Sequence, residues 1–297
     1  MQPPSRECGI LPVPTSAWGV LGLSPRDRLE ALRGRTALVT GASSGIGEAF
    51  ARQLSEAGLA VVAVARRAEL LQALADELRT MGGRCEVLVA DLTTARDRCR
   101  VGEVFARSEV AMLVNSAGVS THGEFIHASP SQAENMVALN VAAMVALSKQ
   151  AADAFAARGL GAIINVSSTA AFKPMAGLVV YGATKAFVKE MSLGLRLEVA
   201  ARGVDVCVVF PGPVRTPMLE SALGRPIAPA TRIGRYLERS YFMDASVCVE
   251  KALAGFRLGK ASVVIDPVDR AVVRLPRRLI RRLDNWAVRQ LTDPDRR

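Results

Sequence analysis

The run Thr36-Ala-Leu-Val39, the turn Thr40-Gly-Ala-Ser-Ser-Gly-Ile-Gly47 and a helix-periodic segment over 48–57 follow one another without a break. No other feature constrains the fold as much, because an apolar strand here feeds a glycine loop that opens a helix. Glycines let such a loop approach a pyrophosphate closely, and the free N–H groups and positive dipole end of the helix stabilise the anion. Taken alone, the glycines would describe a flexible turn. The flanking strand and helix move the reading to a nucleotide site.

The alternation continues along the chain. Strands are expected near 36–40, 60–65, 85–90, 111–115, 162–166, 204–210 and 261–265, with helical segments between them. Leu71, Leu74, Leu78 and Met81 recur at helical spacing, and the same period runs through 130–157. This pattern predicts an α/β fold: a single Rossmann-type, doubly wound parallel sheet of about seven strands flanked by helices. A hydrophobic fraction of 50% with 22% charged residues is enough to bury one large core.

Chemistry is concentrated at three residues. Lys185 lies four residues after Tyr181, so on a helix the two side chains share a face and the ammonium is expected to lower the phenol's pKa. Thirteen residues before Tyr181 stands Ser168, at the end of Gly161-Ala-Ile-Ile-Asn-Val-Ser-Ser168. Together they describe a proton-transfer site. Two further turns close predicted strands at their carboxyl ends, where open α/β sheets bind ligands: Asn115-Ser-Ala-Gly118 and Pro211-Gly-Pro-Val-Arg-Thr216.

With these motifs in this order and spacing, the chain from about 35 to about 267 resembles the short-chain dehydrogenase/reductase family. The resemblance implies a tetrad of Asn140, Ser168, Tyr181 and Lys185. Tyr181 would donate a proton to a carbonyl oxygen as hydride arrives, Ser168 would orient that oxygen, and Lys185 would hold the nicotinamide ribose and favour the tyrosinate. Asn140 would complete a water relay. For the cofactor the resemblance carries Gly41, Ser43, Ser44, Gly45, Ile46 and Gly47 to the phosphates, Asp91 and Leu92 to the adenine, and Val214 and Thr216 to the carboxamide. Asn115, Ala117, Gly118, Pro211 and Gly212 complete the cofactor set, together with Tyr181 and Lys185. Two departures stand out. Ser116 occupies the place of a second asparagine, and the interval from Asn140 to Ser168 is one residue longer than usual, expected as a loop insertion near Arg158-Gly-Leu-Gly161.

Cofactor choice follows from charge. After the run Leu59-Ala-Val-Val-Ala-Val-Ala65, an NAD enzyme would place a carboxylate for the ribose hydroxyls, but this chain has Ala65 followed by Arg66 and Arg67. A guanidinium binds a 2′-phosphate by charge-assisted hydrogen bonds, so NADP(H) is expected, with Arg66 as the principal contact.

The expected organisation is a partly ordered extension over 1–33, the sheet domain over 34–267 and a basic amphipathic helix within 268–297. That last stretch holds nine Arg and four Asp, a net of +5 out of the chain's +10. Leu279, Leu283, Trp286, Ala287 and Leu291 recur at helical spacing within it. Such a helix either packs on protein or lies on an anionic membrane as a peripheral contact. Nucleic-acid binding is not expected, since the arginines lack interleaved stacking aromatics. Five scattered cysteines without a secretion signal read as reduced thiols in a cytoplasmic protein. No metal site is expected, and His122 and His127 read as solvated loop residues near the substrate. A homo-oligomer, dimer or tetramer, is the expected assembly.

In the family the segment after the Pro-Gly turn forms a lid, here about 217–244, rich in apolar and aromatic residues. It favours a lipophilic ketone, aldehyde or alcohol. The alternatives are a fatty acyl-CoA or long-chain aldehyde reductase and, in another class, a non-catalytic NADP(H)-binding regulatory protein.

Overall fold

The computed structural model describes residues 28–219, 242–266 and Arg270. Most of the N-terminal extension, the lid over 220–241 and the basic C-terminal helix lie outside the described residues. β1 (Thr36–Thr40) leads into α1 (Gly45–Glu56), which starts three residues earlier than its apolar period suggests. β2 (Ala60–Ala65), α2 (Ala68–Thr80), β3 (Cys85–Val89), α3 (Ala95–Gly102) and β4 (Val110–Asn115) complete the first half. A long helical stretch follows: α4 (Pro130–Val137), a π turn (Ala138–Ala143) and α5 (Met144–Arg158). Then come β5 (Gly161–Val166), α6 (Val179–Val199), β6 (Val204–Phe210), the short pair β7 (Val214–Arg215) and β8 (Met243–Asp244), α7 (Ala245–Arg257) and β9 (Ser262–Val264).

Seven parallel strands form one sheet in the order β3-β2-β1-β4-β5-β6-β9. All seven expected strands are there, with ends displaced by at most one residue. β1, β4 and β5 are buried along their whole length because helices cover both faces, which is why they read as continuous apolar runs. On one face Phe50, Leu54, Leu71, Leu78 and Phe256 pack from α1, α2 and α7. On the other, Val101, Leu147, Phe155 and Val199 pack from α3, α5 and α6.

The expected loop insertion near Arg158 has no loop to occupy. α5 runs to Arg158 and β5 starts at Gly161, joined through Gly159 at φ 67°. The helix carries its irregularity upstream instead, in the π turn, which takes up more residues per turn than an α-helix.

Among the described residues no helix is long and apolar enough to cross a membrane, and no group of His, Cys, Asp and Glu is arranged to hold a metal. Cys85, Cys207 and Cys248 are buried free thiols, the last two pushed up to about 12 by burial.

At the amino ends of the strands, Asp205 on β6 pairs with Arg28 and stands 3.7 Å from Arg196. Arg196 also donates to the carbonyls of Val206 (2.6 Å) and Gly259 (3.2 Å). Both guanidiniums are less than one-fifth exposed. Asp205→Ala leaves two cations facing each other without their carboxylate, and is expected to destabilise the fold by about 2–3 kcal/mol. Thermal denaturation should record a fall in Tm of roughly 5–10 °C.

Candidate functional site

The strand order turns back between β1 and β4, so the loops leaving their carboxyl ends part and open a crevice. There lies a cavity of about 760 Å³ that extends over the ends of β2, β5 and β6 as well. At one end, Gly41, Ser43, Ser44, Gly45, Ile46 and Gly47 form its floor. Gly41 adopts φ 69°, and a side chain there would stand 2.9 Å from the Ala117 backbone. A side chain on Gly47 would meet the Gly41 carbonyl at 2.3 Å. Loop and helix therefore pack this closely only without Cβ atoms, which leaves the first-turn N–H groups of α1 open to the cavity. That cradle fits a pyrophosphate.

Beyond the loop, the wall is Arg66, Arg67, Asp91 and Leu92. Arg67 donates to Ser43 Oγ (2.8 Å) and Ser44 Oγ (2.7 Å), so its guanidinium is pinned over the glycine loop. The Asp91 carboxyl is held below its usual range, first by the Thr93 backbone N–H at 3.0 Å and then by the Thr93 hydroxyl. Ala117 and Gly118 form the side wall from the β4 loop, and Pro211, Gly212, Val214 and Thr216 form the wall from the β6 loop.

The other end holds Ser168, Tyr181 and Lys185. Ser168 lies two residues beyond the end of β5, capping the short 3-10 turn that follows, while Tyr181 and Lys185 occupy the first two turns of α6. The Ser168 hydroxyl hydrogen-bonds the Tyr181 phenol. Lys185 is 6% exposed, its Nζ donates to the Val166 carbonyl at 3.0 Å and lies 5.7 Å from the Tyr181 ring centre. Burial lowers its pKa to about 8. The expectation that this ammonium lowers the phenol's pKa is not what the geometry gives. Burial raises Tyr181, and the opposing pull comes from Ser168.

Two predicted residues stand behind the cavity wall instead of on it. Asn140, in the π turn, accepts from the Val119 N–H and donates to the Val119 carbonyl, both at 2.9 Å, and also reaches Thr184 Oγ1 at 3.2 Å. With Lys185 and Thr40 it borders a second pocket of about 10 Å³, the size of one water molecule. Asn115 is buried too: it donates to Ser148 and Asn165, and Ser116 takes its place at the wall. The last side chain of β4 points to the α5 face, not up into the crevice.

Sequence reading missed other contributors. Thr40 Oγ1 accepts from the N–H groups of Ser116 and Ala117, both at 3.0 Å, and so joins the two loops that frame the crevice. Ser167 donates to the Lys185 carbonyl at 2.8 Å. Around Ser168 and Tyr181 the cavity is also lined by Val119, Ser120, Lys173, Met175 and Leu178, which went unread, together with His122 and the lid residues Met218, Leu219 and Phe242, which the sequence places near a substrate. A polar residue inside an apolar run, as at Thr40, was the available signal.

Comparison with known proteins agrees with this geometry. The chain is 40% identical over 181 residues to the NADP-dependent 3-hydroxy acid dehydrogenase YdfG of Salmonella typhi, covering 59% of this chain and 71% of that protein. It is 32% identical over 188 residues to 17-beta-hydroxysteroid dehydrogenase type 3 of Mus musculus, covering 62% of each. Among solved structures, a short-chain dehydrogenase from Sphingobium yanoikuyae in complex with NADPH superposes with a TM-score of 0.72 at 32% identity, covering 88% of this chain and 97% of that one. The bulky-bulky ketone specific alcohol dehydrogenase from Comamonas testosteroni gives 0.69 at 30%, covering 88% and 95%. The signature of the short chain dehydrogenase family matches residues 35–225. With that match spanning the glycine loop, the β4 turn, Ser168, Tyr181 and Lys185, the chain belongs to the short-chain dehydrogenase/reductase family of oxidoreductases.

Proposed function

We propose that the protein interconverts a ketone or aldehyde and its alcohol on a lipophilic substrate, using NADP(H). The observation that carries this reading is one cavity with a glycine-loop anion cradle at one end and the hydrogen-bonded Ser168–Tyr181 pair above buried Lys185 at the other. NADP(H), when bound, supplies or accepts the hydride. The α1 N-terminus and Ser43 would hold its pyrophosphate, Asp91 and Leu92 its adenine, and Val214 and Thr216 its carboxamide. Tyr181 and Lys185 would hold the nicotinamide ribose.

The residues of the chain handle the proton. A raised phenol pKa keeps Tyr181 protonated at neutral pH, the form that can donate to a carbonyl oxygen. Ser168 orients that oxygen, and Asn140, beside the water-sized pocket, supports proton resupply.

Arg66 and Arg67 beside the loop, with no carboxylate at the end of β2, support NADP(H) over NAD(H). The cofactor in the YdfG name and the NADPH in the Sphingobium structure point the same way. With Arg67 tied to Ser43 and Ser44, Arg66 is the principal 2′-phosphate contact in this reading. Arg66→Ala is expected to weaken NADPH binding about ten- to a hundred-fold and NADH binding less than about two-fold. Calorimetric titration of both cofactors checks this.

The apolar substrate end supports a lipophilic substrate, in line with the ketone and hydroxysteroid named for two similar proteins. A second reading, a hydroxy or oxo acid, is favoured by His122 and Lys173 in that same end. Among the described lining residues Asp91 is the only carboxylate, and it belongs to the adenine end. NADPH consumption against ketones and aldehydes graded in chain length, each with and without a carboxylate, and against acyl-CoA thioesters, separates these readings. NADPH binding without turnover on any of them would support a regulatory protein and overturn the enzyme.

A further inference from the structure

Four buried polar side chains form one hydrogen-bonded row that runs from α5 over β4 and β5 to α6. Ser148 on α5, Asn115 on β4, Asn165 on β5 and Ser192 on α6 are each 6% exposed or less. Asn115 Nδ2 donates to Ser148 Oγ at 3.0 Å and to Asn165 Oδ1 at 2.9 Å, its register partner on the next strand. Asn165 Nδ2 donates to Ser192 Oγ at 2.9 Å, and Ser192 donates to the Val188 carbonyl at 2.6 Å.

Burying amides and hydroxyls exchanges hydrogen bonds with water for hydrogen bonds in the protein, so apolar groups of the same shape would hold these elements together about as well. What apolar contacts lack is direction. A helix resting on a sheet through apolar side chains tolerates small shifts along its axis, whereas an amide–hydroxyl bond allows one seating.

Position gives this seating its consequence. Ser192 lies seven residues beyond Lys185, two helical turns along the same face of α6. Asn165 lies three residues before Ser168 on β5. The Asn165–Ser192 bond therefore joins the strand that leads into Ser168 to the helix that carries Tyr181. A second tie, from Ser167 Oγ to the Lys185 carbonyl, sits between it and the site. We propose that Asn165 and Ser192 are positioning residues, setting α6 on β5 so that the Tyr181 phenol meets Ser168. The proposal rests on the proton-transfer reading above.

The test uses the full chain saturated with NADPH and compares wild type, Asn165→Leu, Ser192→Ala and the double variant. Two quantities are read: steady-state kcat and KM, and the alkaline ionisation of Tyr181 by ultraviolet absorbance, with Tyr181→Phe subtracting the other tyrosines. Each single variant is expected to lower kcat about ten- to a hundred-fold, the scale of a displacement on the order of 1 Å at a reacting group, with KM for NADPH changed less than about two-fold. The phenol titration moves upward as the Ser168 hydrogen bond lengthens. Because both residues act through one bond, the double variant is no worse than the more impaired single. Should Asn165→Leu fold poorly, Ser192→Ala, which removes one oxygen, decides alone. Folded variants with wild-type kcat and an unmoved phenol titration overturn the proposal, even if their Tm falls. A wild type without turnover would sink the oxidoreductase reading instead, and the titration then decides the positioning role by itself.

Discussion

Tyr181→Phe is expected to lower kcat by about 10³-fold while leaving NADPH affinity within about two-fold of wild type. The substitution removes one oxygen and keeps the ring. Half-buried on α6, that ring continues to fill the cavity wall, so the fold and the distant glycine loop are untouched. What disappears is the one hydroxyl at the substrate end that is held by Ser168 and carries a proton throughout the neutral range. NADPH consumption measures the rate, and calorimetric titration measures the affinity. A variant that keeps the wild-type rate would falsify the assignment of Tyr181 as proton donor. Loss of NADPH binding would show that the phenol mainly builds the cofactor site.

Lys185→Met is expected to abolish turnover to a similar extent and, at the same time, to stabilise the protein. The ammonium is almost fully buried, with one hydrogen bond to the Val166 carbonyl, and its pKa is lowered to about 8 from an ordinary 10.5. At neutral pH the folded state therefore holds a charge that burial disfavours by about 3 kcal/mol. Losing the hydrogen bond to Val166 returns about 1 kcal/mol of that, which leaves a net gain on the order of 1–2 kcal/mol. The sign with pH follows from the lowered value. Between pH 8 and 10.5 the unfolded chain binds the proton and the folded one does not, so wild-type stability rises through that window. The gain of the Met variant is thus largest below pH 8 and fades as pH approaches 10.5. Thermal denaturation of both proteins at several pH values checks it, and equal Tm values at pH 7 would mean that the ammonium is better solvated than its burial implies. A lysine that costs stability where it stands is better explained by chemistry than by packing.

How much of this was legible before the structure depends on the range of each interaction. The strands at 36–40, 60–65 and 204–210 emerge where expected, because burial on both faces imposes a continuous apolar run that can be read residue by residue. The glycine loop is legible for the same local reason. Gly47 answers the Gly41 carbonyl six residues before it, whereas the contacts of Gly41 with Ala117 and of Gly45 with Thr216 come from distant parts of the chain. Tyr181 and Lys185 are four residues apart on one helix, so their pairing is a matter of helical pitch.

Other features depended on distant parts of the chain. Asn115 reads as a wall residue from its motif, yet its side chain turns to Ser148 and Asn165, 33 and 50 residues away. Arg67 appears equivalent to Arg66 in the sequence, but only it reaches back 24 residues to Ser43. Nothing local marks Asn165 or Ser192 as a pair, and the phenol's raised pKa comes from burial, a property of everything packed around it. The sequence by itself determined the element order, the anion cradle and the Tyr–Lys face, since backbone sterics and helical period act over a few residues. Tertiary structure alone decided which polar groups line the cavity, which brace it from behind and how readily they ionise, since hydrogen bonding across strands and desolvation depend on residues the folded chain brings together from far apart.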